Sequence, residues 1–168
     1  MGGVTSSDAC ALCGMPVSNH DRDIRFTLPD PVLALAEGGV LPEGTWLSHG
    51  DAESSVMMIV PEVGAFLRCL LPLRLEGDHT LTFGVWVGVE TDDLKRAYDV
   101  WWEPEYADLE LSGALANALP GVDVLAAPVA LRVLDADESP YVVASPDALL
   151  DKVLTDTWPH DAVTDLLA

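Results

Sequence analysis

The chain has 168 residues, 49% of them hydrophobic and 21% charged, which is the composition of a globular domain large enough to bury its own core. Eight Lys and Arg residues stand against 28 Asp and Glu residues, which gives a net charge of −20 with histidine neutral. This charge repels nucleic-acid phosphates and anionic lipid, so it argues against direct nucleic-acid binding and suits a basic protein partner or a cation. The alternative is that the acidity only keeps the protein soluble.

The cellular setting is predicted from the apolar runs and the cysteines. No apolar run approaches the roughly 18 residues that a membrane span needs, and the first residues lack the basic and apolar regions of a signal peptide. Three cysteines, an odd number, suit thiols or a metal site in a reducing cytosol better than a disulfide framework. We therefore expect a cytoplasmic protein with no membrane contact.

The first part of the chain is small and polar over residues 1–9, which predicts a flexible tail ahead of a single domain over residues 10–168. Asp30-Pro31 supplies an N-cap and a proline for the first helical turn, so a short helix is expected there. Gly38-Gly39 is expected to end this helix, since glycine readily adopts the conformation that follows a helix C-terminus.

The middle of the chain alternates between apolar and polar residues. This period of two predicts antiparallel strands at residues 65–75 and 79–89, joined by a turn at Glu76-Gly77-Asp78. The apolar face consists of the odd positions Ala65, Leu67, Cys69, Leu71, Leu73, Leu75, Leu81, Phe83, Val85, Val87 and Val89. Residues 54–60 are predicted as a further strand beside this hairpin.

Two helices are predicted after the hairpin. Thr91-Asp92-Asp93 places a cap and acidic residues at the start of the first, and Pro104 ends it. Its apolar stripe, expected to pack on the sheet, consists of Leu94, Ala97, Tyr98 and Trp101. Residues 108–119 are predicted as the second helix, ended by Pro120-Gly121.

The last part of the chain adds strands and a helix. Strands are predicted at Val129–Leu134 and Tyr141–Ala144, and Ser145-Pro146-Asp147 predicts the start of a helix over Ala148–Leu154. Sequential antiparallel strands with helices between them favour an α+β fold over a parallel arrangement. We therefore predict a mostly antiparallel sheet with helices packed on one face.

The most specific local motif is Cys10-Ala11-Leu12-Cys13-Gly14. Two thiolates at this spacing can hold one metal ion, and half of a tetrahedral zinc site has this form. His20 is the expected third ligand because it lies in a polar stretch close to the cysteine pair. Cys69 lies on the apolar face of its predicted strand and is interpreted as a core residue. The alternative for Cys10 and Cys13 is a pair of free thiols.

A candidate binding surface surrounds Trp86, which lies on the opposite face of its strand from the core, between two glycines. The glycines leave the indole laterally open, and Arg68 and Arg74 are expected on the same side of the partner strand. Such a surface could hold a carboxylate-bearing or aromatic partner, or a second copy of the chain in a homodimer. The alternative is that a helix covers this face and that the glycines make room for it.

Several of these segments together resemble a bacterial family catalogued as domain of unknown function 2199. The similar pieces run from Cys10 to about Leu134: Cys10 to Gly14; Asp23-Ile24-Arg25-Phe26 and Leu28-Pro29-Asp30; Leu67-Arg68 and Leu71-Pro72-Leu73; Gly84-Val85-Trp86-Val87; and Asn117 to Gly121. The resemblance implies no known activity, but it favours a real site at Cys10 and Cys13. Members similar to this chain carry a histidine shortly after the cysteine motif. Val17 takes that place here, and His20 follows three residues later.

Three functions remain open, since the chain contains no nucleophile, phosphate-binding or dinucleotide-binding motif. The first is a non-catalytic binding module for a basic protein partner, with a zinc ion at Cys10 and Cys13. The second is a metal-dependent enzyme that uses these cysteines and a histidine. The third is an acidic immunity or decoy protein that blocks a basic toxin or nucleic-acid enzyme.

Overall fold

A long antiparallel hairpin organises the fold in the computed structural model, which describes residues 22–35, 40–51, 54–76, 79–118 and 124–158. The described strands are β1 (Arg22–Arg25), β2 (Trp46–Leu47), β3 (Met57–Val60), β4 (Gly64–Leu75), β5 (His79–Val89), β6 (Glu110–Leu115), β7 (Pro128–Arg132), β8 (Tyr141–Ala144) and β9 (Thr157–Trp158). The described helices are α1 (Asp30–Leu33), α2 (Thr91–Val100) and α3 (Ala148–Thr155), with a 3-10 helix at Pro104–Asp108.

The hairpin is formed by β4 and β5, as the alternating pattern predicts. Leu71 pairs with Phe83 and Cys69 with Val85, so the apolar side chains of both strands lie on one face. One edge of β5 pairs with β1 and, further along, with β6. The free edge of β4 likewise pairs with β3, β8 and β9 in succession. Every other described strand except β2 and β7 is thus paired directly with the hairpin.

Five of the strands close into a barrel, and the predicted α+β layer arrangement is therefore wrong. The closed path runs β4-β5-β6-β7-β8 and returns to β4, where Leu70 pairs in parallel with Tyr141. The expectation of helices packed on one face of an open sheet fails because residues 108–119, predicted as a helix, contain strand β6. This strand bridges β5 and β7, so the sheet curls round instead of presenting a flat face.

Gly113 explains why β6 forms a strand that packs closely against β5. A Cβ atom at Gly113 would lie 2.7 Å from Cγ1 of Val87 and would also collide with the carbonyl oxygen of Gly88. Only glycine allows β6 to approach β5 this closely, whereas its low helix propensity disfavours a helix at the same place.

The core has two parts, one for each face of the hairpin. The larger part contains the odd-numbered side chains of β4 and β5 together with buried residues of β6–β8, α2 and α3, among them Leu94, Ala97, Leu150 and Val153. The smaller part, here called the outer cluster, consists of Val32, Met58, Val60, Phe66, Trp86 and Ala116. Both faces of the hairpin are therefore buried where the outer cluster lies, which the period of two alone does not predict.

The remaining predicted elements are mostly confirmed. Helices α1, α2 and α3 and strand β8 occur, and β7 covers Pro128–Arg132. The caps predicted at Asp30 and Thr91 are wrong, because Pro29 and Glu90 precede the two helices and neither makes a side-chain capping hydrogen bond. The predicted stripe of α2 is only partly buried, since Tyr98 is 57% exposed. The Asp147 carboxylate caps α3 by accepting a hydrogen bond from Leu150 N at 3.0 Å. Strand β3 begins only at Met57, later than expected. The predicted tail at 1–9 and Gly38-Gly39 lie outside the described residues. None of the described helices has the length and apolar character needed to cross a membrane.

Candidate functional site

The predicted zinc ligands Cys10, Cys13 and His20 lie outside the described residues. Among the residues that are described, no three His, Cys, Asp or Glu side chains group together as metal ligands. Cys69 lies in the larger core, as expected from its apolar strand face. Burial raises the pKa of the Cys69 thiol far above its ordinary value, as expected for a thiol packed among apolar side chains.

The predicted binding surface at Trp86 is not open. The Trp86 side chain is fully buried in the outer cluster, and Arg68 is buried beside it. The Arg68 guanidinium lies 4.3 Å from the centre of the Trp86 ring, whereas Arg74 lies six residues further along β4 and is exposed. The expectation of a laterally open indole is therefore wrong, and the alternative of a covered face holds.

The segment after β1 covers this tryptophan. Trp86 Nε1 donates to the carbonyl oxygens of Phe26 and Thr27, both at 3.2 Å. Arg68 Nη1 donates to the same Phe26 carbonyl at 2.6 Å, and its Nε donates to Ser55 O at 3.0 Å. The two side chains thus fix the non-helical segment after β1 against the outer face of the hairpin, where the alternative prediction placed a helix as the cover.

Asn117 completes the attachment of this segment from the other side. Its Oδ1 accepts from Trp86 N at 2.7 Å, and its Nδ2 donates to Leu28 O at 2.9 Å and to Asp30 Oδ1 at 3.0 Å. The other carboxylate oxygen of Asp30 accepts from Ala118 N at 2.8 Å. Asp30, Arg68, Trp86 and Asn117 form what we call the anchoring network. Because its members are buried or half-buried and bonded to each other or to the backbone, its role is structural.

An open cleft lies elsewhere, at the C-terminal end of α2. It has a volume of about 560 Å³ and is bounded by Trp101 to Pro104 and Tyr106 on one side, and by Val56 and residues 136–139 on the other. Trp102 is 87% exposed, the largest exposure among the big apolar side chains of the described residues. We call this depression the acidic aromatic cleft, because Glu103, Asp137 and Glu138 also line it.

Tyr106 holds the acidic wall of the cleft in place. Its hydroxyl donates to Glu138 O at 2.5 Å, and its ring packs against Trp101 with centroids 4.8 Å apart. Burial, with smaller contributions from Cys69 and Glu138, raises the pKa of Tyr106 above its ordinary value, so the hydroxyl remains a donor. The Glu138 carboxylate in turn accepts from the Tyr141 hydroxyl at 3.2 Å. The acidic loop is therefore fixed against the barrel.

The charges in the cleft are of one sign. Three of the described residues that line it are acidic and none is basic. Exposed indole faces attract ammonium and guanidinium groups, and carboxylates bind both with charge-assisted hydrogen bonds. The arrangement is thus chemically suited to hold a cationic side chain.

The sequence contains a pattern that points to this cleft, although the motif analysis does not use it. Trp101 and Trp102 are neighbours at a helix end, and adjacent residues project about 100° apart around a helix. Both indoles therefore cannot join a single buried stripe, and one is left to face solvent. The acidic residues of the loop at 135–138 lie far from the tryptophans in sequence, so only the fold brings them to the same cleft.

A family model described as an uncharacterized protein conserved in bacteria, DUF2199, matches residues 9–153. The chain belongs to this family. The DUF2199 match spans the cysteine pair, the anchoring network and the acidic aromatic cleft, which ends at Ser139. Neither the curated proteins nor the solved structures contain a match to the chain.

Proposed function

We propose that this protein is a non-catalytic binding module that holds a cationic segment of a protein partner in the acidic aromatic cleft. The observation that carries the proposal is the 87% exposure of Trp102 beside a wall of carboxylates. An indole in this position supplies contact area and an attractive π face, and it needs little ordering on binding. The net charge of −20 would also speed the approach of a basic partner.

The proposal is tested with a short peptide that contains three arginines, beside a peptide of equal length with three glutamates. We expect the arginine peptide alone to bind, and Trp102→Ala to weaken its binding about tenfold, since cation–π contacts contribute about 1–2 kcal/mol. Leu149→Ala is the matched control because it also removes an exposed apolar side chain, from α3. Equal binding by wild type and Trp102→Ala would contradict the proposal.

A charge-matched pair of variants separates the cleft from the general acidity of the surface. The double variant Glu103→Gln/Asp137→Asn removes two carboxylates from the cleft. The control Glu62→Gln/Asp151→Asn removes two exposed carboxylates that do not line it. We expect the first double variant to weaken peptide binding more than the second. Equal losses would assign the binding to the overall charge instead of the cleft.

The acidic cleft also favours an immunity or decoy role, in which the basic partner is a toxin or a nucleic-acid enzyme. Such a complex depends on long-range attraction, so its association rate falls steeply with ionic strength. Raising the salt from about 0.05 M to about 0.5 M should slow association with a basic partner by more than tenfold. A rate that does not change with salt would remove this interpretation.

We also propose a zinc ion at Cys10 and Cys13, with His20 as third ligand. The proposal is supported by the cysteine spacing and by the short distance in sequence between this pair and His20. Protein purified without tag or chelator should contain about one zinc per chain, lost in Cys10→Ser/Cys13→Ser and retained in Cys69→Ala. A water in the zinc coordination shell would turn the interpretation towards a metal-dependent enzyme, whereas protein without zinc would refute the site.

A further inference from the structure

A second depression is lined by residues that neighbour those of the acidic aromatic cleft in sequence. It has a volume of about 260 Å³ and is lined by Trp46, Ile59, Leu94, Lys95, Tyr98 and Asp99. The Trp46 and Tyr98 rings meet edge to face with centroids 5.7 Å apart, and they are 38% and 57% exposed. We call it the apolar groove, because rings and aliphatic side chains make up most of its lining.

The groove and the cleft are lined by neighbouring residues of the same two parts of the chain. Tyr98 of α2 lines the groove, and Trp102, two residues after the end of α2, lines the cleft; four residues correspond to about 6 Å along a helix axis. Ile59 of β3 also lines the groove, and Val56, the residue before β3, lines the cleft; three residues span about 10 Å in an extended chain. One bound segment can therefore contact both depressions.

We infer that the partner segment carries a bulky apolar residue beside its cationic residue, and that the apolar groove between Trp46 and Tyr98 receives this apolar side chain. The inference rests on the proposed function, because the occupant is the same basic segment. The groove is smaller than the roughly 300–1,000 Å³ typical of small-molecule sites, which suits a single side chain. Within the groove Lys95 repels a second cation, so an apolar side chain fits it best.

Charge complementarity decides between a basic partner and a second copy of the chain. Two copies of a protein with net charge −20 repel each other, and acidic residues line both depressions, Asp99 in the groove and Glu103 in the cleft. A basic segment meets no such repulsion. The separation of groove and cleft corresponds to an apolar and a basic residue two or three positions apart in an extended peptide.

The test uses two versions of the three-arginine peptide, one with phenylalanine three positions from an arginine and one with alanine there. Wild type should bind the phenylalanine peptide about tenfold more tightly. Tyr98→Ala should abolish this preference without changing the affinity for the alanine peptide, since Tyr98 lines the groove and not the cleft. Trp102→Ala should weaken both peptides equally, and Leu149→Ala should weaken neither.

The outcomes separate the inference from the proposed function. Equal affinity of wild type for both peptides, with Trp102→Ala still weakening both, would overturn the inference and leave the cleft in place. Peptides that do not bind, or that bind Trp102→Ala unchanged, would refute the proposed function itself. A dimer in sedimentation that dissociates on Tyr98→Ala would assign the groove to a second copy and overturn the inference as well.

Discussion

Replacing Asn117 by alanine tests the anchoring network most directly. The side chain is fully buried and satisfies two backbone groups, Trp86 N–H and Leu28 C=O, on different parts of the fold. Alanine leaves both without that partner. An unsatisfied buried polar group costs about 1–3 kcal/mol, so we expect the free energy of unfolding to fall by about 3 kcal/mol. Asp30 keeps its bond to Ala118, which limits the loss.

Urea and thermal unfolding followed by circular dichroism measure this loss. For a chain of 168 residues, about 3 kcal/mol corresponds to a decrease in Tm of about 6–12 °C. Ser112→Ala, an exposed substitution on β6, is the control and should stay within about 0.5 kcal/mol of wild type. A loss below about 1 kcal/mol for Asn117→Ala would refute the view that the network holds the segment after β1 onto the barrel.

Three further predictions concern the barrel and its buried groups. Gly113→Ala should destabilise the protein by at least about 2 kcal/mol, because its Cβ collides with β5. Gly50→Ala, where the Cβ meets nothing within 4 Å, should be nearly neutral in the same urea titration, and equal effects would contradict the packing argument. Arg68→Lys should cost about 2–3 kcal/mol in urea unfolding, because an ammonium lacks the planar guanidinium fork that bonds two carbonyl groups from separate atoms and lies over the Trp86 ring; a lysine variant as stable as wild type would contradict this. Since burial raises the pKa of Cys69, wild type should lose stability as the pH rises above about 8.5, where only the unfolded chain releases the thiol proton. Unfolding measured between about pH 7 and pH 10 should show a shallower loss for Cys69→Ala, and equal slopes would refute this contribution.

The surroundings of Arg68 and Trp86 show which contacts a sequence pattern can predict and which it cannot. The alternation of β4 and β5 predicts that Arg68 and Trp86 share a face, and the structure pairs them directly across the two strands. Their burial depends on the Phe26 carbonyl, which is 42 residues from Arg68 and 60 from Trp86. A local sequence pattern does not encode contacts between residues this far apart. The same pattern is therefore compatible with an exposed Trp86 face and with a covered one.

The sequence by itself determines the elements whose signals are local. The period of two in residues 65–89 specifies the hairpin, and the Asp147 cap specifies the start of α3. The tertiary structure alone decides the barrel, because closure depends on β5–β6 and β4–β8 pairings of only a few residues between distant segments. It also decides the acidic aromatic cleft, since Tyr106 brings the loop at Glu138 to Trp102 through a hydrogen bond across 32 residues.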